Sequence, residues 1–167
     1  MHTQRTVLLV DDDEQVRESL QQLIERAGMK CLTAENALQA LAALRVQEVQ
    51  VVLADHDMPG MDGVEMLKLV ATRHPEVCRI LLTGRRDGDT AVRALNVAHA
   101  YRYLTKPCRG TDLLTTLHFA CETSDAERAT RSLRAELRRQ TALLAEARRR
   151  FPELIDTLEA ARAPQAG

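Results

Sequence analysis

The sequence predicts an α/β fold in which helices cover both faces of a five-stranded parallel sheet. Five short apolar runs, several of them rich in β-branched residues, alternate with segments whose apolar residues recur at helical spacing. Parallel strands need long crossover connections, usually helices, and this alternation provides them. The predicted strands cover residues 6–10, 31–33, 49–54, 79–84 and 101–104.

Start and stop signals mark the helices between these strands. Asp13 precedes the first helical pattern as an N-cap, and Gly28 ends that pattern. Asp62 and Glu65 have capping-box spacing before a helix that should end ahead of Pro75. These signals predict separate helices that begin and end between successive strands.

Composition limits the classes of protein that the chain can represent. With 167 residues, 45% of them apolar and only 2% aromatic, it has room for one domain with an aliphatic core and for an extension. A formal net charge of −1 gives no general attraction to nucleic acid or to membranes. The chain shows no leader and no apolar run of spanning length, which predicts a cytoplasmic protein. Four cysteines without metal-ligand spacing predict reduced thiols in or near the core: Cys31, Cys78, Cys108 and Cys121.

Reactive or charged residues follow four of the five predicted strands. Asp11 and Asp12 follow the first strand, and Asp55 follows the third. Thr83 closes the fourth strand, and Lys106 comes just after the fifth. Because the carboxyl ends of parallel strands meet at one edge of a sheet, we expect these residues to lie together. Crowded carboxylates repel one another and need a divalent cation, and oxygen ligands of this kind suit Mg²⁺.

These strand ends, in this order and spacing, resemble the receiver domain of two-component response regulators over residues 5–121. The resemblance implies a flavodoxin-like, doubly wound sheet with the strand order 2-1-3-4-5. It also implies that Asp55 accepts a phosphoryl group from a histidine kinase or a histidine phosphotransfer protein. Mg²⁺ would be held by Asp11, Asp12 and Asp55, with the backbone carbonyl of Asp57. No P-loop motif is present, so we do not expect the chain to bind ATP itself or to be an enzyme beyond its own phosphoryl transfer and dephosphorylation.

The same resemblance assigns roles to residues around the phosphoacceptor. Thr83 would bind a phosphoryl oxygen, and Lys106 would pair with the phosphoryl group. The family's cis peptide before Pro107 would aim this lysine. Thr83 and Tyr103 would form the switch, so that the face between Asp89 and Leu104 changes on phosphorylation. Asp57 and Arg85 match positions that tune the lifetime of the phosphoryl group.

The C-terminal region predicts a helical extension with a coiled-coil seam. We divide the chain into a receiver domain at 1–122, a helical extension at 123–162 and a disordered tail at 163–167. A 3-4 spacing of apolar residues predicts a homodimer, although Gln140 weakens the seam and Pro152 should break the helix. The alternatives are that this stripe folds back on the receiver or binds another protein. The seam residues are Leu133, Leu137, Leu144, Phe151, Leu154 and Leu158.

Three alternative functions match parts of the sequence. The pair Asp55 and Asp57 is similar to the nucleophile motif of haloacid-dehalogenase-like phosphatases, but that family carries it on the first strand and with another residue at the position of Pro59. DNA binding through the arginine-rich tail is a second alternative, although nine basic residues oppose seven acidic ones from residue 123 onward and no helix-turn-helix signature accompanies them. A scaffold with a vestigial pocket is a third, and the complete set of strand-end residues argues against it.

Overall fold

A computed structural model describes residues 4–84, 96 and 98–153 of the protein. Its five strands form one parallel sheet in the order β2-β1-β3-β4-β5, which confirms the predicted doubly wound fold. β1 and β3 are neighbours at the point where the strand order reverses, and in such sheets ligands bind beyond the carboxyl ends of those strands. The strands are β1 (Thr6–Val10), β2 (Lys30–Ala34), β3 (Val51–Asp55), β4 (Cys78–Thr83) and β5 (Arg102–Thr105).

The central strand lies slightly later in the chain than the sequence predicted. It begins at Val51; just before it, the Gln50 N–H donates to the Thr6 carbonyl (3.0 Å) and the Gln50 side-chain oxygen accepts the Thr6 N–H (2.7 Å). It ends at Asp55, which is paired with Leu82 of β4. The acid is therefore the last residue of the strand and not the first residue of a loop.

Four helices are described: α1 (Glu14–Arg26), α2 (Ala37–Val46), α3 (Gly63–Arg73) and α4 (Gly110–Arg150). Asp13 caps α1 by accepting the N–H groups of Gln15 and Val16, as predicted. Asp62 caps α3 through the N–H of Glu65, and that helix ends before Pro75. None of the described helices has the length and apolarity needed to span a bilayer.

Alternate strand residues bury aliphatic side chains on the two faces of the sheet. Leu8, Val52 and Leu81 pack with α2 and α3 on one face. Val7, Leu53 and Ile80 pack on the other face, where α1 and the first part of α4 cover them. The aliphatic core is confirmed, because all four aromatic side chains are exposed: Tyr101, Tyr103, Phe119 and Phe151.

The chain divides into two compact units, residues 1–127 and 128–167, and α4 contributes to both. In the first unit α4 buries Leu113, Leu117 and Ala120, and the Ser124 hydroxyl donates to the Glu76 carbonyl (2.8 Å). In the second unit the described side chains are almost all exposed. α4 ends at Arg150, so the predicted break near Pro152 is confirmed. Leu154 and Leu158 lie outside the described residues.

Candidate functional site

The carboxyl edge of the sheet brings together the residues that the sequence placed at strand ends. Asp11 follows β1, Asp55 closes β3 and Thr83 closes β4, while Lys106 follows β5. The strands are in register along this edge, with Val10 opposite Ala54 and Thr83 opposite Thr105. These residues therefore lie along one edge of the sheet.

An acidic cluster occupies the centre of this edge. Asp11, Asp12 and Asp55 each contribute one carboxylate oxygen to a group whose members all lie within 4.8 Å of one another. Asp11 and Asp55 are buried, whereas Asp12 is exposed at the mouth. Asp11 Oδ1 also accepts the backbone N–H of Asp13 (3.0 Å), so part of its charge is already compensated.

Lys106 bridges the two buried acids. Its Nζ lies 2.7 Å from Asp11 Oδ2 and 2.6 Å from Asp55 Oδ1. The backbone N–H of Lys106 donates to the Thr83 carbonyl (2.7 Å), and the peptide bond to Pro107 is cis. The resemblance implied that Lys106 would pair with a bound phosphoryl group. Here Lys106 Nζ lies against Asp55, the carboxylate that would receive the phosphoryl group.

Burial and charge shift the proton affinity of this pair. Burial raises the pKa of Asp55 above its ordinary value of 3.8, and the charge of Asp11 adds to the increase, although Lys106 and the Asp57 amide oppose it. Burial alone would lower the pKa of Lys106, but the hydrogen bonds and charges of Asp11 and Asp55 outweigh it and the pKa is raised. Lys106 is therefore cationic at neutral pH, and Asp55 is more basic than an exposed aspartate.

The donor set fits a magnesium ion. It offers only oxygens, from three carboxylates, and Mg²⁺ prefers a small number of protein oxygens with water completing its shell. Asp12 would be the more direct ligand, because the Asp11 carboxylate is engaged by Lys106 and by Asp13. Asp57 is exposed, and its N–H donates to Asp55 Oδ2 (3.0 Å). The role of its carbonyl as a ligand stays a prediction.

The carboxyl end of β4 carries Thr83, with Gly84 directly after it. Thr83 is buried, and a Cβ built on Gly84 meets no atom of the described residues within 4 Å. Tyr103, on β5, lies opposite Leu81 of β4 and is 39% exposed. Its role in the switch stays a prediction. Arg85 and Asp89 lie outside the described residues.

Two residues that the sequence interpretation missed support the site. Arg17 Nη1 donates to the Asp11 backbone carbonyl (2.6 Å). The helix dipole disfavours a basic residue near the start of a helix, so the position of Arg17 in α1 could have indicated that its side chain has a specific partner. Gly63, the first residue of α3, lies against the Asp55 backbone, so that a Cβ there would overlap the Asp55 carbonyl oxygen. Nothing in the local sequence indicated that contact.

This fold and pocket are those of a receiver-type signalling domain. The family model described as the response regulator receiver domain matches residues 7–118, and the chain belongs to that family.

Relatives with this domain are transcriptional regulators by name. The hydrogenase transcriptional regulatory protein HoxA of Cupriavidus necator is 36% identical over 141 residues, which cover 84% of this chain and 29% of that protein. The DNA-binding transcriptional regulator NtrC of Salmonella typhimurium is 43% identical over 101 residues, which cover 60% of this chain and 21% of NtrC. The chain thus spans less than a third of either relative.

A solved structure has the same fold. The crystal structure of the signal receiver domain of an HD domain-containing protein from Pseudomonas fluorescens Pf-5 is 35% identical, with a TM-score of 0.72. The match covers 74% of this chain and 99% of that structure.

Proposed function

We propose that this receiver accepts a phosphoryl group on Asp55 from a histidine kinase or a histidine phosphotransfer protein. The observation that carries the proposal is the contact of Lys106 Nζ with Asp55 Oδ1 (2.6 Å) beside the acidic cluster at the sheet edge. A nucleophilic carboxylate, a cation for the transferred group and oxygen ligands for a metal are what phosphoryl transfer to aspartate requires.

The chemistry follows from the position of Asp55. Its carboxylate attacks the phosphorus of a phosphohistidine, an O–P bond replaces the P–N bond, and the departing imidazole takes up a proton. The raised pKa of Asp55 makes its carboxylate a better nucleophile, and the contact with Lys106 Nζ (2.6 Å) favours the ionised form. Mg²⁺, when bound by Asp11, Asp12 and Asp55, neutralises charge on the phosphoryl oxygens. Lys106 exchanges a carboxylate oxygen for a phosphoryl oxygen, and the Thr83 hydroxyl donates to another.

The protein is proposed to act as a switch and not as a turnover enzyme. The phosphatase alternative needs both Asp55 and Asp57 in the reacting site, and Asp57 is exposed, with its amide directed at Asp55 Oδ2. Family membership also favours a single phosphorylation event on Asp55. Asp57 and Arg85 are then proposed to set how long the phosphoryl group persists.

The output is proposed to be control of transcription, with the C-terminal helix as a dimerisation element. HoxA and NtrC, which share the receiver, are transcriptional regulators by name. The described part of the predicted seam exposes four large apolar side chains, a feature that suits association with a second copy. Direct DNA binding by this tail is disfavoured, because acidic residues are interspersed with the arginines. The four exposed seam residues are Leu133, Leu137, Leu144 and Phe151.

The intact mass of the protein, after incubation with Mg²⁺ and a small acyl-phosphate donor, tests this function. We expect one phosphoryl group on the parent chain and none on Asp55→Asn. Asp57→Asn is the matched control, since it removes the neighbouring acid and should still gain one phosphoryl group. Steady hydrolysis of phosphoesters that is lost in Asp57→Asn would instead support the phosphatase. If neither the donor nor a panel of histidine kinases labels the parent, the proposed function is wrong.

A further inference from the structure

The side chain of Arg79, on β4, is held by backbone carbonyl groups. Its Nη1 donates to the Val77 carbonyl (2.5 Å), and its Nε donates to the carbonyls of Ala98 and His99 (3.2 Å each). Its Nη2 donates to the His99 carbonyl as well (3.0 Å). The planar guanidinium thus spans the start of β4 and the segment that leads into β5, a geometry that a lysine ammonium does not reproduce.

His99 needs such support because of its backbone conformation. Its φ is 47°, and it is the one non-glycine residue with a positive φ in the part of the chain that the structure describes. L-residues other than glycine occupy this left-handed region at a cost, so the surrounding structure must hold them there. Two of the four Arg79 hydrogen bonds end on the His99 carbonyl.

Arg79 also contacts the segment that leads into β5. The backbone carbonyl of Arg79 accepts the N–H of Tyr101 (2.7 Å), which sets the register that places Tyr103 opposite Leu81. β5 is an edge strand of only four residues, so few other hydrogen bonds define its position. Lys106 follows directly after it.

We propose that Arg79 is a positioning residue for Lys106 and Tyr103. Its side chain stabilises the left-handed turn at His99, and this turn brings the Tyr101 N–H to the backbone carbonyl of residue 79, where β5 begins. A shift of β5 would move the Lys106 ammonium away from Asp55 and Tyr103 out of its register with Leu81. The effect on phosphoryl transfer rests on the function proposed above, whereas the effect on β5 does not.

The test uses Arg79→Met, which keeps an unbranched apolar side chain and removes every side-chain donor. Arg73→Met is the matched control, because Arg73 is an exposed arginine at the end of α3. In Arg79→Met we expect faster hydrogen exchange at the amides of Tyr103 and Lys106, with the amides of β1 unchanged. We also expect phosphorylation by an acyl phosphate to slow by roughly tenfold to a hundredfold, as for a misplaced active-site group.

A rescue experiment separates positioning from general destabilisation. Glycine adopts the left-handed conformation without strain, so adding His99→Gly to Arg79→Met should restore most of the exchange protection and of the rate. His99→Gly alone should leave the rate close to that of the parent. Arg79→Lys, the milder variant, should give an intermediate loss.

Parent-like exchange in Arg79→Met, an equal loss in Arg73→Met, or no restoration by His99→Gly would each overturn the proposal. If the parent itself takes up no phosphoryl group, the proposed function fails. The exchange data on the parent and its variants would still decide the role of Arg79.

Discussion

The Cα of Gly63 lies against the backbone carbonyl oxygen of Asp55, at a separation that leaves no room for a side chain. The Gly63 N–H donates to the His56 carbonyl (3.1 Å), so the loop after β3 folds back and places the first turn of α3 beneath the proposed phosphoacceptor. The orientation of Asp55 therefore depends on a residue that carries no functional group.

Gly63→Ala should displace Asp55 and destabilise the receiver. The added methyl group would overlap the Asp55 carbonyl oxygen and lie 3.0 Å from Leu81 Cδ1, and overpacking of this kind costs about 1–3 kcal/mol. Urea unfolding measures the loss, and phosphorylation by a small donor should slow in parallel. Gly84→Ala is the control, since a Cβ there meets nothing within 4 Å in the part of the chain that the structure describes and should leave the free energy of unfolding nearly unchanged. Equal stability of the two variants would contradict the structure.

Mg²⁺ should stabilise the parent and should do so much less in Asp12→Asn. A ligand that binds only the folded state raises the melting temperature, here by roughly 5 °C at Mg²⁺ well above its Kd. Asp13→Asn removes the same charge from the next residue but keeps an N-cap for α1, so its Mg²⁺ response should match that of the parent. Thermal melts with Mg²⁺ and with EDTA measure the difference. Equal loss of the response in both variants would mean that general negative charge, and not a ligand at Asp12, attracts the ion.

Alkaline pH should weaken the fold through its buried thiols. Burial raises the pKa of Cys31 to about 12 and that of Cys121 to about 11, from an ordinary value of 9.0. Because the pKa values in the folded state lie above those in the unfolded state, the contribution of these thiols to the free energy of unfolding is complete below pH 9. It is lost as the pH rises toward 11 and 12. Each thiol should remove about 1.4 kcal/mol of stability per pH unit in that window.

Urea unfolding under reducing conditions from pH 8 to pH 11 measures this dependence. Cys121→Ala should show a shallower decline than the parent, whatever its stability at pH 8. Identical slopes would show that the Cys121 thiol does not contribute.

Dimerisation through the tail should depend on the seam and not on exposed apolar area alone. Leu144 belongs to the predicted seam and is 61% exposed, whereas its neighbour Leu143 lies off the seam and is 58% exposed. Leu144→Glu should therefore convert the dimer to a monomer, while Leu143→Glu should leave it largely intact. Light scattering at several protein concentrations measures the mass. A monomeric parent, or an equal effect of both variants, would contradict the coiled-coil prediction.

The strands, the caps and the pocket residues were predictable because each depends on local patterns. Asp11, Asp55, Thr83 and Lys106 each follow an apolar run, and a parallel α/β sheet places all such ends at one edge. Element bounds were less predictable: β3 extends through Asp55 because Leu82 pairs with it across the sheet, a contact that no local pattern shows.

The sequence by itself determined the fold class, the strand-end acids and the lysine, because hydrophobic periodicity and residue type are properties of the chain. Only the tertiary structure decided that Lys106 bridges Asp11 and Asp55, that Gly63 must lack a side chain and that Arg79 holds His99. Lys106 lies 95 residues from Asp11, and Arg79 lies 20 from His99. Contacts at such separations are made by the packing of strands and helices against one another, which residue patterns along the chain do not specify.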